Sequence, residues 1–212
     1  MTKIADLRKN YTQAGLLESD VVANPFDQFQ LWFDQAIAAD ILEPNAMTVA
    51  TITAEGKPSA RIVLLKAFDE RGFVFYTNYN SQKGIELQHC PYAALVFLWG
   101  DLERQVRIEG RIEFVAEAEA TNYFHSRPVS SQLGAWASEQ STIIDDRSVL
   151  EQSLHQLEIA YQDREIPKPP HWGGVRVIPQ EIEFWQGRPS RLHDRIRYQL
   201  VAGNWQIDRL AP

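Results

Sequence analysis

The stretch Arg191-Leu192-His193-Asp194-Arg195 sets two arginines and a histidine around one leucine and one carboxylate. Guanidinium groups fork onto phosphate and stack on flat rings, so this cluster suits an anionic, partly flat ligand. Upstream, Glu183-Phe184-Trp185-Gln186-Gly187 alternates apolar and polar residues and reads as a strand stopped by glycine. Downstream, Ile196 to Val201 reads as another strand. The cluster therefore lies on a loop between strands, where a solvated turn is the plainer alternative.

Other stretches offer similar groups. In Arg61-Ile62-Val63-Leu64-Leu65-Lys66, strand alternation points Arg61, Val63 and Leu65 one way and Ile62, Leu64 and Lys66 the other. A strand this apolar is expected to be buried on much of both faces, which makes its two cations costly unless they meet anions or reach water by their stems. Ser81-Gln82-Lys83 follows Tyr76-Thr77-Asn78 at a predicted helix start, a place that suits an anion or a plain N-cap. Tyr123, Arg127 and Ser131 supply two hydroxyls and a permanent cation, a set suited to a phosphate monoester. Gln140-Ser141 and Glu103-Arg104-Gln105 could meet polar ring edges, and Arg8, Lys9 and Tyr11 could fold over a ligand if the N-terminal stretch is not a mobile tail. These clusters exceed what one phosphate requires, so they imply two phosphorylated ligands or one ligand at a subunit interface. No phosphate-cradling glycine loop and no G-x-S-x-G elbow is present. The five histidines and Cys90 lack metal-ligand spacing, so no metal is expected.

The elements that must position these residues follow from pattern. Asn24 and Pro25 start a helix with Phe26, Phe29, Trp32/Phe33, Ala36 and Ile37 on one face, ending near Asp40. Strands are predicted over 46–53, 58–68 and 73–77, joined by glycine-containing turns. A short helix capped by Ser81 runs to His89, and strands follow over 92–99 and 104–115. Helices are predicted over 117–125, 130–137 and 145–162, the last amphipathic through Val149, Leu150, Leu154, Leu157, Ile159 and Tyr161. After the proline-rich connector 166–170 come strands 175–178, 182–185, 196–201 and 205–210. Sequential hairpins with inserted helices favour an α+β protein built on a closed antiparallel β-barrel. The expected organisation is an arm, residues 1–23, and one domain, residues 24–212.

The net charge of −7 argues against broad binding to nucleic acid or anionic membrane, and it makes local basic clusters more informative. No apolar run reaches membrane-spanning length, the N-terminus does not resemble a secretory signal, and the single cysteine forbids an intrachain disulfide, so a cytoplasmic location is expected.

Several of these motifs occur together, in one order, from about Arg8 to Pro212. They are Arg61–Lys66, Phe75-Tyr76-Thr77-Asn78, Glu103-Arg104-Gln105-Val106, Tyr123-Phe124-His125-Ser126-Arg127-Pro128, Gln132-Leu133-Gly134-Ala135-Trp136, Phe184–Gly187, Arg191–Arg195 and Ile207-Asp208-Arg209-Leu210-Ala211-Pro212. In this set the chain resembles the pyridoxamine 5′-phosphate oxidases. The resemblance implies an FMN-binding split barrel and a homodimer with FMN at the subunit interface. It also implies oxidation of pyridoxamine or pyridoxine 5′-phosphate to pyridoxal 5′-phosphate, with dioxygen as acceptor and hydrogen peroxide as product, a step of vitamin B6 metabolism. By matching motif, FMN would be held by Arg61, Ile62, Val63, Leu64, Lys66, Tyr76, Thr77, Gln82, Lys83, Gln105, Gln140, Ser141, Trp185 and Arg195. The substrate phosphate would meet Lys66, Tyr123, Arg127 and Ser131. Arg191 and His193 would be the catalytic pair at the reacting end, with Arg8 and Tyr11 closing over it. The family often has arginine where this chain has Gln82, which removes a charge-assisted contact to FMN.

Two other readings use the same residues. Lys66 could be a Schiff-base lysine of a pyridoxal-phosphate enzyme, but the strand setting and lack of a larger fold speak against it. A split barrel could also bind flavin without catalysis, since fold does not fix function. The phosphate clamp together with Arg191 and His193 separates that reading from an oxidase.

Overall fold

A computed structural model of the chain describes residues 4, 10–12 and 15–212. Arg8, expected to close over the substrate, lies outside the described residues. The Asn24 side chain accepts from the Phe26 N–H at 2.8 Å and Pro25 fills the first turn, so helix α1 (Pro25–Ala38) begins where its capping residues dictate. Its Phe26, Phe29, Trp32 and Ala36 are buried, whereas Ile37 points out.

Strands β1 (Ala46–Ile52), β2 (Pro58–Leu64), β3 (Ala67–Asp69) and β4 (Gly72–Asn78) lead to helix α2 (Gln82–His89). Strands β5 (Tyr92–Trp99) and β6 (Arg104–Phe114) precede helices α3 (Glu117–Ser126), α4 (Val129–Ala137) and α5 (Ser148–Ala160). Strands β7 (Trp172–Gln186), β8 (Asp194–Val201) and β9 (Asn204–Arg209) end the chain. They form one antiparallel sheet in the order β2-β1-β5-β6-β7-β4-β3, with β8 paired to β7 and β9 to β8.

The expected single strand 58–68 is two strands. The chain bends at Leu65-Lys66, so β2 pairs with β1 at one end of the sheet and β3 pairs with β4 at the other. Backbone bonds fix the corner: Leu65 N–H donates to Asn45 C=O and Lys66 N–H to Val74 C=O, both at 2.8 Å. One continuous run thus joins both ends of a curled sheet, and a straight strand could not do so. The expectation that this strand is buried on both faces also fails. As an edge strand, β2 is nowhere fully buried, and Ile62 is 65% exposed.

The expected pair of strands 175–178 and 182–185 is instead the single strand β7. Pro179 has no N–H to give, and it sits opposite Gly110 at a register shift that absorbs the missing ladder bond. Along one edge of β7, the first half pairs with β4 and the second with β8, while β6 runs along the other edge. This divergence makes the barrel split, and the fold is an α+β antiparallel split β-barrel decorated with helices.

Helix α1 fills the barrel. The Phe29 ring is fully buried, with centroids 5.0 Å from Phe73, 5.1 Å from Phe97 and 4.8 Å from Phe68. Burying a side chain of this size contributes roughly 1.5–3 kcal/mol. A second apolar cluster of Phe124, Leu133, Ile166 and Trp172 joins α3 and α4 to the start of β7. Helix α5 is shorter than the predicted 145–162. Leu154 and Leu157 pack on that cluster, while Val149 and Ile159, expected on the apolar face, are largely exposed. Among the described residues no helix is long and apolar enough to cross a membrane, and no group of three or more His, Cys, Asp or Glu could hold a metal.

Candidate active site

A cavity of about 850 Å³ opens between β2, the end of β4, the start of α2, and α4. Its wall brings together Arg61, Ile62, Val63, Leu64, Lys66, Tyr76, Thr77, Gln82, Lys83, Arg127, Ser131, Gln140 and Ser141, all chosen from the sequence. The wall holds four basic side chains, Arg61, Lys66, Lys83 and Arg127, and no carboxylate. In a chain of net charge −7 this concentration creates a local positive field suited to anions.

Each cation is set by its element. Ser81 caps α2 by accepting from Gly84 N–H, which starts the helix beneath the cavity and turns Lys83 inward. Lys83 Nζ donates to Thr77 Oγ1 at 3.1 Å, Ser81 Oγ at 3.3 Å and Gln140 Oε1 at 3.1 Å, all neutral oxygens. Burial, and then the neighbouring Arg61 charge, hold its ammonium below the ordinary lysine value. Arg61 Nη2 reaches Glu86 Oε2 at 3.0 Å and Ser59 Oγ at 2.6 Å, so the anion expected for this strand cation is Glu86. Burial works to raise the Glu86 carboxyl, but hydrogen bonds from Thr51, Gln82 and Arg61 outweigh it and keep the group ionised. Gln82 Nε2 donates to Glu86 Oε1 at 2.9 Å, and Ser141 Oγ accepts from Gln82 N–H at 3.2 Å.

Across the cavity, Arg127 lies over the Trp172 ring at 4.6 Å, a cation–π contact. Burial lowers its proton affinity, and its Nη1 is buried with no hydrogen-bond partner among the described residues. A buried guanidinium nitrogen left unpaired is costly, and an anion in the cavity would satisfy it. Tyr123 stacks on Tyr76 with centroids 3.9 Å apart, and Tyr76 stacks on Trp172 at 5.2 Å. Burial pushes the Tyr76 phenol up to about 12, and Tyr123 upward as well, so both stay protonated donors at neutral pH.

The remaining residues gather elsewhere in the protomer. Gln105, Trp185 and Tyr11 line a separate recess of about 340 Å³. His193 packs on Trp185 at 4.6 Å and on Tyr11 at 5.6 Å. His193 Nδ1 accepts from the Arg188 N–H at 3.1 Å, which leaves Nε2 to carry the proton of the neutral ring. Arg191 is exposed at the end of a 3-10 turn, where Ser190 and Arg191 adopt φ of 59° and 62°. Left-handed backbone at a non-glycine residue costs about 1–2 kcal/mol. Arg195 is held by Glu183, with Nε to Oε1 at 2.8 Å and Nη2 to Oε2 at 3.0 Å, while its Nη1 donates to the Ala211 carbonyl. Asp194 bonds neither Arg191 nor Arg195. It pairs with Arg209 and Arg188.

Sequence reasoning missed Trp172, Glu86 and Glu183. The last two are carboxylates surrounded by apolar strand or helix residues, a signal for a buried counter-charge. Trp172 opens a strand with Gly173 and Gly174 directly after the prolines, which marks a packed aromatic only in hindsight.

The family model described as "Pyridoxamine 5'-phosphate oxidase" matches residues 33–160, and that described as "Pyridoxine 5'-phosphate oxidase C-terminal dimerisation region" matches residues 172–212. A pyridoxine/pyridoxamine 5'-phosphate oxidase of Cyanothece sp. is 63% identical over 99% of this chain and 98% of its own length. The protein of that name from Burkholderia vietnamiensis is 58% identical over the whole of both chains. The crystal structure of PhzG from Burkholderia lata, in complex with tetrahydrophenazine-1-carboxylic acid, superposes with a TM-score of 0.89 at 30% identity, covering 94% of this chain and 99% of that one. The fold and the cation-lined cavity thus define an FMN-dependent flavoprotein oxidoreductase. More particularly, the chain belongs to the pyridoxamine 5′-phosphate oxidase family, and its strands β7 to β9 lie in that family's dimerisation region.

FMN, the family's cofactor, fits these residues. Its phosphate calls for paired cations free of competing carboxylates on the wall, which Arg61 and Lys83 provide, and its ring system for a broad wall such as β2 presents.

Proposed function

We propose that this enzyme oxidises pyridoxamine 5′-phosphate or pyridoxine 5′-phosphate to pyridoxal 5′-phosphate, passing two electrons to dioxygen and yielding hydrogen peroxide; from the amine, one water supplies the aldehyde oxygen and ammonia leaves. The observation that carries this reading is the second anion station: Arg127 offers an unpaired buried nitrogen across the cavity from the Arg61–Lys83 pair. One station suits the FMN phosphate and the other a phosphorylated substrate. Bound FMN supplies the two-electron acceptor, chemistry no side chain here offers.

The protein's own contribution is binding and orientation. Arg127, Tyr123, Ser131 and Lys66 hold the substrate phosphate and thereby fix the reach of its ring. Arg191, with no hydrogen bond or ion pair to any described residue, covers the far face of that ring and steadies developing charge. His193 presents its Nε2–H as a donor near the reacting carbon, and Trp185 and Tyr11 keep water from it.

Arg191, His193, Arg195, Gln105 and Trp185 do not line the cavity of their own protomer. In the proposed homodimer each complete site pairs the cavity of one protomer with the hairpin of its partner, and FMN lies at the interface. Residues 24–212 act as one unit, since β7 pairs with both β4 and β6, and residues 1–23 serve as its arm.

The test is direct. Purified protein should be yellow, release FMN on denaturation, and form pyridoxal 5′-phosphate from either substrate only when oxygen is present. A yellow protein inert to both substrates would overturn the reading.

A further inference from the structure

Asp194 has no role in the proposed function, yet both of its carboxylate oxygens are engaged. Its Oδ1 accepts from Arg209 Nη1 at 2.8 Å, and its Oδ2 accepts from the backbone N–H of Leu16 at 3.0 Å. Arg209, on β9, donates from Nη2 to the carbonyl of that same Leu16 at 2.8 Å. An ion pair thus grips both backbone groups of one residue, whose side chain is itself buried. Glu18 closes the far side by accepting from Arg209 Nε at 2.6 Å and Nη2 at 2.9 Å.

The gripped segment leads back to the reacting end. Thr12 N–H donates to Glu103 Oε2 at 2.9 Å, and the Tyr11 ring meets Trp185 at 5.7 Å and His193 at 5.6 Å, both edge-on. The approach at Gly187 is close enough to exclude a side chain, and at Gly15 it is tight. A Cβ at Gly187 would stand 2.7 Å from the Tyr11 ring, and one at Gly15 would stand 3.1 Å from the Arg188 guanidinium.

We propose that Asp194 is a positioning residue: with Arg209 it clamps Leu16 and so holds Tyr11 against His193 and Trp185, making the N-terminal segment a wall of the substrate site. This rests on the proposed placing of substrate beside His193 and Tyr11. Asp194 then acts through the segment and touches neither substrate nor FMN.

The clamp is tested on the holoenzyme with Asp194→Asn, Tyr11→Leu and the double variant. Asp194→Asn should raise KM for pyridoxine 5′-phosphate roughly five- to tenfold and lower kcat less than about threefold, and the double variant should be no worse than Tyr11→Leu alone. Additive effects, or wild-type kinetics for Asp194→Asn, would overturn the proposal. Arg209→Lys breaks the same clamp from β9 and serves if Asp194→Asn fails to fold. Limited proteolysis reads the clamp without substrate. Cleavage within residues 10–16 should accelerate in either clamp variant while the rest of the chain stays intact, and unchanged cleavage would count against the clamp. Wild-type kinetics in Tyr11→Leu with accelerated cleavage in Asp194→Asn would overturn the substrate reading and leave the clamp standing.

Discussion

The cavity wall and the β7–β8 hairpin are both rich in arginine, but they treat charge differently. In the cavity, Arg61 is balanced by a buried carboxylate behind it, and Lys83 is held by three neutral oxygens. The charge that matters is preset before any ligand arrives, at the cost of desolvating cations. In the hairpin, Arg195 and Asp194 are fully engaged within the protomer, whereas Arg191 stands exposed on left-handed backbone. On the proposed reading, the first region holds an anion and the second offers Arg191 to the partner protomer's site. Binding calls for the first arrangement and transition-state contact for the second.

The largest test of this contrast is Arg191→Ala. Turnover should fall by about a hundredfold or more while flavin content, read by absorbance of the purified protein, stays near wild type. Equal turnover, or loss of FMN, would erase the distinction between the regions. Arg127→Leu should instead raise KM for the phosphorylated substrate by roughly thirtyfold, as expected when one partner of a buried charged contact is removed. If that variant loses FMN and keeps its KM, the two anion stations are exchanged. The smallest effect concerns Lys83. Its folded pKa is depressed below 10.5, so between that lowered value and 10.5 the unfolded chain binds more protons. Stability of the FMN-free protein should therefore rise with pH through this window, and a bound phosphate, by favouring the ammonium, should flatten the rise. Urea unfolding of wild type and Lys83→Met across the window checks it, and identical slopes in the two proteins would count against a desolvated ammonium.

Much of this was legible in the chain. Asn24-Pro25 and Ser81 announced α1 and α2 because capping is a matter of neighbouring residues. Strand alternation and glycine turns gave the hairpins for the same reason. The bend at Leu65-Lys66 was not legible, since nothing local forbids a straight strand there and only the need to join opposite ends of a curled sheet imposes it. Continuity of β7 through Pro179 was hidden likewise, because the compensating register shift, which leaves Gln180 without a partner on β6, appears only when β7 pairs with β6. For Asp194 one partner, Arg188, is near in sequence, while Leu16 and Arg209, which its carboxylate bonds most closely, lie 178 and 15 residues away.

The sequence by itself determined which residue types could bind phosphate, the element for most of them though not for Lys66 at the bend or Arg195 on β8, and, through resemblance, the family. Tertiary structure decided which of those residues share a wall. It gathered Arg61, Lys66, Lys83 and Arg127 into one cavity and left Arg191 and His193 outside it. Side-chain direction is a local property of helices and strands, whereas the meeting of distant elements depends on how the sheet curls and splits, which no short pattern encodes.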